Sequence, residues 1–134
     1  MPGGTPLDRI MIRDLKVFAY HGVLPEEKER GQEFLIDIDL DVDSGPAASH
    51  DDLGRTVDYA SVVKEVAEIA TAGRRNIVEA VAYAIADHLL TLEGVARARV
   101  TVKKPAAPLE VEVGWVGFQV TRTPGAPSER GGPP

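Results

Sequence analysis

Four stretches of the chain alternate apolar and polar positions, and two others carry apolar residues at helical spacing. The clearest alternation runs over 34–43, where Ile36, Ile38, Leu40 and Val42 interleave with Asp37, Asp39, Asp41 and Asp43. Successive side chains on a strand point to opposite faces, so this pattern predicts a strand with one buried face. Residues 9–19 are β-branched and apolar enough for a strand, with an irregularity near Asp14, and Tyr20-His21-Gly22 marks the turn after it. Pro25 and Gly31 bound a charged connection. Residues 96–104 alternate again, with Ala98, Val100 and Val102 opposite Arg97, Arg99, Thr101 and Lys103. A last strand over 113–122 sets Val116, Phe118 and Val120 on one face.

Between the second and third strands the period changes. Tyr59, Val62, Val63, Val66, Ile69 and Ala70 form one helical stripe, read as core, which Gly73 ends. Ile77, Val78, Val81, Ala82, Ile85, Leu89 and Leu92 form a second, capped by Asn76 and ended by Gly94. The order β-β-α-α-β-β predicts an α+β two-layer sandwich: two helices covering a four-stranded antiparallel sheet. The acids of the second strand should face the arginines of the third, which makes those strands neighbours. Two bare sheet edges would remain, and pairing them between subunits would close an oligomeric barrel with the charged face lining its hole. One domain is expected over 7–122, with Gly- and Pro-rich tails at 1–6 and 123–134.

Composition narrows the chemistry. The 134 residues carry a net charge of −6 and no block of like charge, which disfavours nucleic acid as a partner. There is no cysteine, hence no disulfide framework, thiolate nucleophile or Cys-based zinc site. No apolar run reaches membrane-spanning length, and Met1-Pro-Gly-Gly-Thr-Pro6 lacks the pattern of a signal peptide. A cytoplasmic protein is expected. His21, His50 and His88 have no spacing that suggests a metal site. The aspartate run fails as a calcium loop: counted from Asp37, the sixth and twelfth positions are Val42 and Ala48, and counted from Asp39 they are Ser44 and His50, where glycine and glutamate are needed. No metal is predicted, and the run reads as a solvated strand face.

A few positions carry candidate chemistry. Strand parity puts Lys104 on the core-facing side with Ala98, Val100 and Val102, where partial desolvation would favour its neutral amine and suit proton transfer. Alternatively the strand ends at Lys103, before Pro105, and Lys104 points to water. Glu79 lies three residues after Asn76, the spacing of a capping box. Glu27, among Glu26, Lys28, Glu29 and Arg30, alone reads as a solvated loop acid. Tyr59 alone reads as core with a wet hydroxyl. His21 reads as a structural hydrogen-bonding residue.

Taken together these positions fall into a pattern. Tyr20-His21-Gly22-Val23-Leu24 with Glu27 and Gly31-Gln32-Glu33-Phe34, then Thr56-Val57-Asp58-Tyr59, then Asn76-Ile77-Val78-Glu79, then Lys104-Pro105-Ala106-Ala107-Pro108, resemble in order and spacing the four signatures of the dihydroneopterin aldolases. The resemblance implies the tunnelling fold, ring tetramers that often stack as octamers, and sites between subunits. It implies that Glu79, with the backbone of Val78, anchors the amino-pyrimidinone edge of a pterin. It implies Lys104 as general acid/base, Tyr59 as an aid to proton transfer, and Glu27 as the holder of substrate or water. No cofactor or metal is implied, since a dihydropterin ring imine can accept the electrons of a retro-aldol step itself. Val78 stands where leucine is common, and Trp115 is expected near the site. Competing readings are an epimerase of the same fold, a non-catalytic pterin-binding ring protein, and an assembly subunit without a ligand.

Overall fold

The computed structural model describes residues 8–125. Of the expected tails at 1–6 and 123–134, residues 1–6 and 126–134 lie outside the described residues. The elements are β1 (Asp8–Ala19), α1 (Pro25–Arg30), β2 (Gln32–Val42), α2 (Gly45–His50), a 3-10 turn (Leu53–Arg55), α3 (Tyr59–Thr71), α4 (Val78–Leu89), β3 (Val95–Lys104) and β4 (Val116–Arg122). The β-β-α-α-β-β frame is as expected, with two short helices added in the connections. Residues 25–31 are not an irregular link. Pro25 at the first helical position, acids in the first turn and Lys28 and Arg30 in the last make a single helical turn favourable there. The last strand begins at Val116, so 113–115 belong to the loop before it.

All four strands are antiparallel, in the order β1-β2-β3-β4. The buried face carries Ile36, Ile38, Leu40, Ala98, Val100 and Val102, each 0% exposed. Against it α3 lays Val62, Val66 and Ala70, and α4 lays Val81, Ala82, Ile85, Ala86 and Leu89. Each large apolar side chain so buried contributes roughly 1.5–3 kcal/mol. The helix α3 covers β1, while α4 covers β3 and β4. Tyr59 is not part of this core: it is 64% exposed at the first position of its helix.

The other sheet face is less solvated than its composition suggests. Asp41 pairs with Arg9 at 2.9 Å and Arg97 at 3.5 Å, and Asp39 pairs with Arg13 at 2.7 Å; both aspartates are buried beneath the long arginine stems. Cross-strand register sets Asp41 opposite Arg97 and Asp39 opposite Arg99, as the charge pattern predicts. The irregularity at Asp14 is a bulge between Ile12 and Leu15. Asp14 takes φ 53, its N–H donates to Asp37 and its carboxylate accepts from Lys103. Asp tolerates this left-handed backbone better than most residues.

Candidate active site

The corner after β1 is built around a buried histidine. His21 is 1% exposed; its Nδ1 accepts from the Arg75 N–H at 2.9 Å and its Nε2 donates to the Ala70 carbonyl at 2.6 Å. The partners assign the tautomer, since an N–H can only donate and a carbonyl only accept. The next residue, Gly22, has φ +145, and a side chain there would collide with the Glu27 carboxyl. Glycine lets the backbone lie against that carboxyl.

Glu27 is therefore not a solvated loop acid. It is the third residue of α1 and 7% exposed. Its Oε1 accepts from the Leu24 N–H at 3.2 Å, and its Oε2 accepts from Gln32 Nε2 at 3.0 Å and from Lys104 Nζ at 2.6 Å. Burial opposes its charge, but the hydrogen bonds from Lys104, Gln32 and Leu24, with the lysine charge, outweigh that and hold the carboxyl below its usual range. Gln32 also reaches the His21 carbonyl at 3.4 Å. The sequence places Gln32 within the first signature but assigns it no role of its own; its contacts with His21 and Glu27 come from the fold.

Lys104 is the last residue of β3 and lies on the core side, as parity predicts. Its side chain is 16% exposed. It does not meet the apolar surroundings that the sequence reading expects, because its ammonium ends against Glu27. Neighbouring Lys103 points to the other face, where it pairs with Asp14 and Asp37 and lies under the Trp115 ring. Trp115 thus sits on the sheet face opposite Lys104.

The third component is the start of α4. Ile77 occupies the cap position without a side-chain cap, so the expected Asn76–Glu79 capping box does not form. The chain enters this helix extended at Ile77, one residue later than the spacing suggests. Glu79 is left exposed, and its carboxylate has no protein partner among the described residues. Glu27, Lys104, Val78 and Glu79 line one cavity of about 300 Å3, closed by Gly22, Val23, Asn76, Ile77 and the start of β4 at Val116, Gly117 and Phe118. A partly buried ion pair, an unpartnered carboxylate and apolar walls suit a flat ligand with hydrogen-bonding edges. A second hollow, about 360 Å3 and lined by Val42, Asp43, Gly54, Thr56, Val57, Glu93 and Gly94, is larger but contains none of the predicted site residues.

Tyr59 is not among the residues around Lys104. It follows Val57 and Asp58, beside the second hollow, where β2 ends and β3 begins. The ten residues of β3 separate that end of the sheet from Lys104, a span of roughly 30 Å. One chain therefore brings together Glu27, Val78, Glu79 and Lys104 and holds Tyr59 apart. Among the described residues no group of His, Asp or Glu is arranged to hold a metal ion, and no helix is long and apolar enough to cross a membrane.

The family model FolB, dihydroneopterin aldolase, matches residues 10–121. The chain belongs to the dihydroneopterin aldolase family. A dihydroneopterin aldolase of Streptomyces coelicolor is 43% identical over 117 residues, covering 87% of this chain and 98% of the relative. Among solved structures, the E. coli dihydroneopterin aldolase in complex with neopterin superposes with a TM-score of 0.80 at 28% identity, covering 87% of this chain and 99% of that one. The Burkholderia thailendensis dihydroneopterin aldolase bound to guanine superposes at 0.74 with 28% identity, covering 87% and 90%. The family match spans all four sequence signatures and the four-stranded sheet with its two covering helices.

Proposed function

We propose that this chain is a lyase that cleaves 7,8-dihydroneopterin by a retro-aldol step to 6-hydroxymethyl-7,8-dihydropterin and glycolaldehyde, in the biosynthesis of tetrahydrofolate. The observation that carries the reading is the Lys104–Glu27 pair, 2.6 Å apart, lining a cavity that Glu79 also lines, its carboxylate unpartnered among the described residues. A carboxylate beside backbone N–H groups matches the amino-pyrimidinone edge of a pterin, an edge that guanine shares. Glu79 and the Val78 backbone would hold that edge. Lys104, as the neutral amine left once its ammonium has released a proton to water, would then take the proton from the side-chain hydroxyl, with Glu27 orienting the amine and the substrate or a water beside it. As the carbon–carbon bond breaks, its electrons pass to the conjugated ring imine, glycolaldehyde leaves, and the enamine is reprotonated to product. The imine supplies the electron sink, so the step asks for neither a metal nor a lysine Schiff base and needs no cofactor.

Tyr59 would assist the reprotonation from another copy of the chain. That role is supported by its exposure, by its distance from Lys104 within one chain, and by the bare edges of β1 and β4. The working form would be a homo-oligomeric ring, a tetramer that stacks as an octamer. A chain without cysteine suits a cytoplasmic setting. The test is incubation with 7,8-dihydroneopterin and chromatography of the products, with Lys104→Ala in parallel. Formation of 6-hydroxymethyl-7,8-dihydropterin by the wild type alone supports the assignment. Formation of the epimer alone makes the chain an epimerase of the same fold, and binding without reaction makes it a pterin-binding ring protein.

A further inference from the structure

We infer that His21 is a positioning residue that braces the pterin-anchoring turn at Val78 and Glu79 against the Lys104–Glu27 pair. The inference rests on the pterin reading above and adds a residue that touches neither the pterin nor the reacting atoms.

The two halves of the cavity come from distant parts of the chain. Glu27 follows β1, and Glu79 follows the link 72–77 between α3 and α4. That link has little structure of its own. Gly73 has φ +75 and Arg74 is exposed. At Arg75, three residues before α4, the backbone meets the β1 corner through both of its polar groups: the Arg75 N–H donates to His21 Nδ1 at 2.9 Å, and the Arg75 carbonyl accepts from the Gly22 N–H at 2.9 Å. The other ring nitrogen of His21 donates to Ala70 at the end of α3. One buried ring therefore holds both the C-terminus of α3 and the approach to α4.

The corner is tied to the acid/base pair just as closely. Gly22 packs against the Glu27 carboxyl, and Gln32 spans the His21 carbonyl and Glu27 Oε2. A continuous path of contacts runs from Lys104 through Glu27, Gly22 and His21 to Arg75, and four residues along the backbone to Glu79. His21 is the side chain in this path that joins the two halves. Packing alone would ask for a ring against Phe34, whose centroid lies 5.5 Å away. It would not ask for an acceptor aimed at Arg75.

The ring nitrogens can be tested separately. Asparagine places an oxygen near the position of Nδ1 and keeps the acceptor for Arg75. Glutamine places its amide nitrogen near Nε2, keeping the donor to Ala70 and removing the acceptor. Neopterin affinity, KM, kcat and melting temperature would be measured for wild type, His21→Asn and His21→Gln. His21→Gln should raise the neopterin Kd and the KM on the order of tenfold, the scale of one unsatisfied donor, while kcat stays within about threefold. His21→Asn should restore affinity, at a melting temperature no higher than that of His21→Gln. Equal loss of affinity in both variants, or none in His21→Gln, overturns the inference.

Should neither variant fold, amide exchange in the wild type decides. Neopterin should slow exchange at both Gly22 and Arg75, and unchanged exchange there overturns the inference. Failure of wild type to cleave dihydroneopterin while neopterin still binds would instead refute the aldolase assignment and leave the brace testable by affinity.

Discussion

Lys104 Nζ and Glu27 Oε2 are 2.6 Å apart although the residues are separated by 77 positions in sequence. The pair joins the end of β3 to the first turn of α1, so on the proposed mechanism catalysis and stability share one contact. Lys104→Ala should lower turnover of dihydroneopterin by about a hundredfold to ten-thousandfold, the usual range for a lost acid/base group. It should also destabilise the fold by about 1–3 kcal/mol, because Glu27 is left buried without its cation. Denaturant melts of Lys104→Met with and without Glu27→Gln check the second part: the double variant should be the more stable.

The same pair sets a pH dependence. Burial opposes the Glu27 charge, but the hydrogen bonds from Lys104, Gln32 and Leu24 prevail and leave the carboxyl below its ordinary value of 4.5. A folded-state value below the unfolded one means that the unfolded chain binds the proton more readily. The stabilisation is complete at neutral pH, begins to fall near 4.5 and is lost as pH drops through the depressed folded value. Thermal melts from neutral to strongly acid pH should show Glu27→Gln with a shallower decline than wild type.

Glu79 makes the opposite prediction for stability. Its carboxylate has no partner among the described residues and is exposed. Glu79→Gln should leave the melting free energy within about 0.5 kcal/mol of wild type, as for other exposed sites. If Glu79 is the charged acceptor for the pterin edge, neopterin affinity should fall by roughly tenfold or more. Calorimetry with neopterin beside a denaturant melt separates the two effects.

Tyr59 and Lys104 stand at opposite ends of the sheet in one chain. If each site draws Tyr59 from another copy, Lys104→Ala and Tyr59→Phe homo-oligomers should both be poorly active. Hetero-oligomers reassembled from the two should regain part of wild-type activity through sites that receive both native residues. An assay of the reassembled mixture that shows no recovery would place both residues in the same chain's site or remove Tyr59 from it.

At Gly22 the backbone has φ +145 and the Glu27 carboxyl fills the space of a side chain. Gly22→Ala should destabilise by about 1–3 kcal/mol from backbone strain alone. It should also push Glu27 off Lys104, so turnover should fall further than the loss of folded protein explains. Activity normalised to the folded fraction checks this.

Much of the fold was legible because its signals are local. Ile36-Ile38-Leu40-Val42 and Ala98-Val100-Val102 alternate with charged residues, and the buried face follows from that alone. The pairing of β2 with β3 followed from acids facing arginines. The failures were of another kind. The charged run at 25–31 concealed a helical turn, and Tyr59 shared the helical period of the core yet faces outward. A period states which residues share a face, but where the face ends depends on what packs over it. Position 59 begins its helix, beyond the sheet that covers Val62 and Val66.

By itself the sequence determined the order of elements, the buried stripe of each and the four signatures that mark the family, since each resides in a few consecutive residues. Tertiary structure decided which of those residues meet. It buried Glu27 beside Lys104, freed Glu79 from its expected cap, turned Trp115 to the other face and set Tyr59 far from Lys104 within one chain. The physical reason is that burial, ion pairing and hydrogen-bond partnership depend on groups brought together from positions tens of residues apart, and no local pattern specifies those distances.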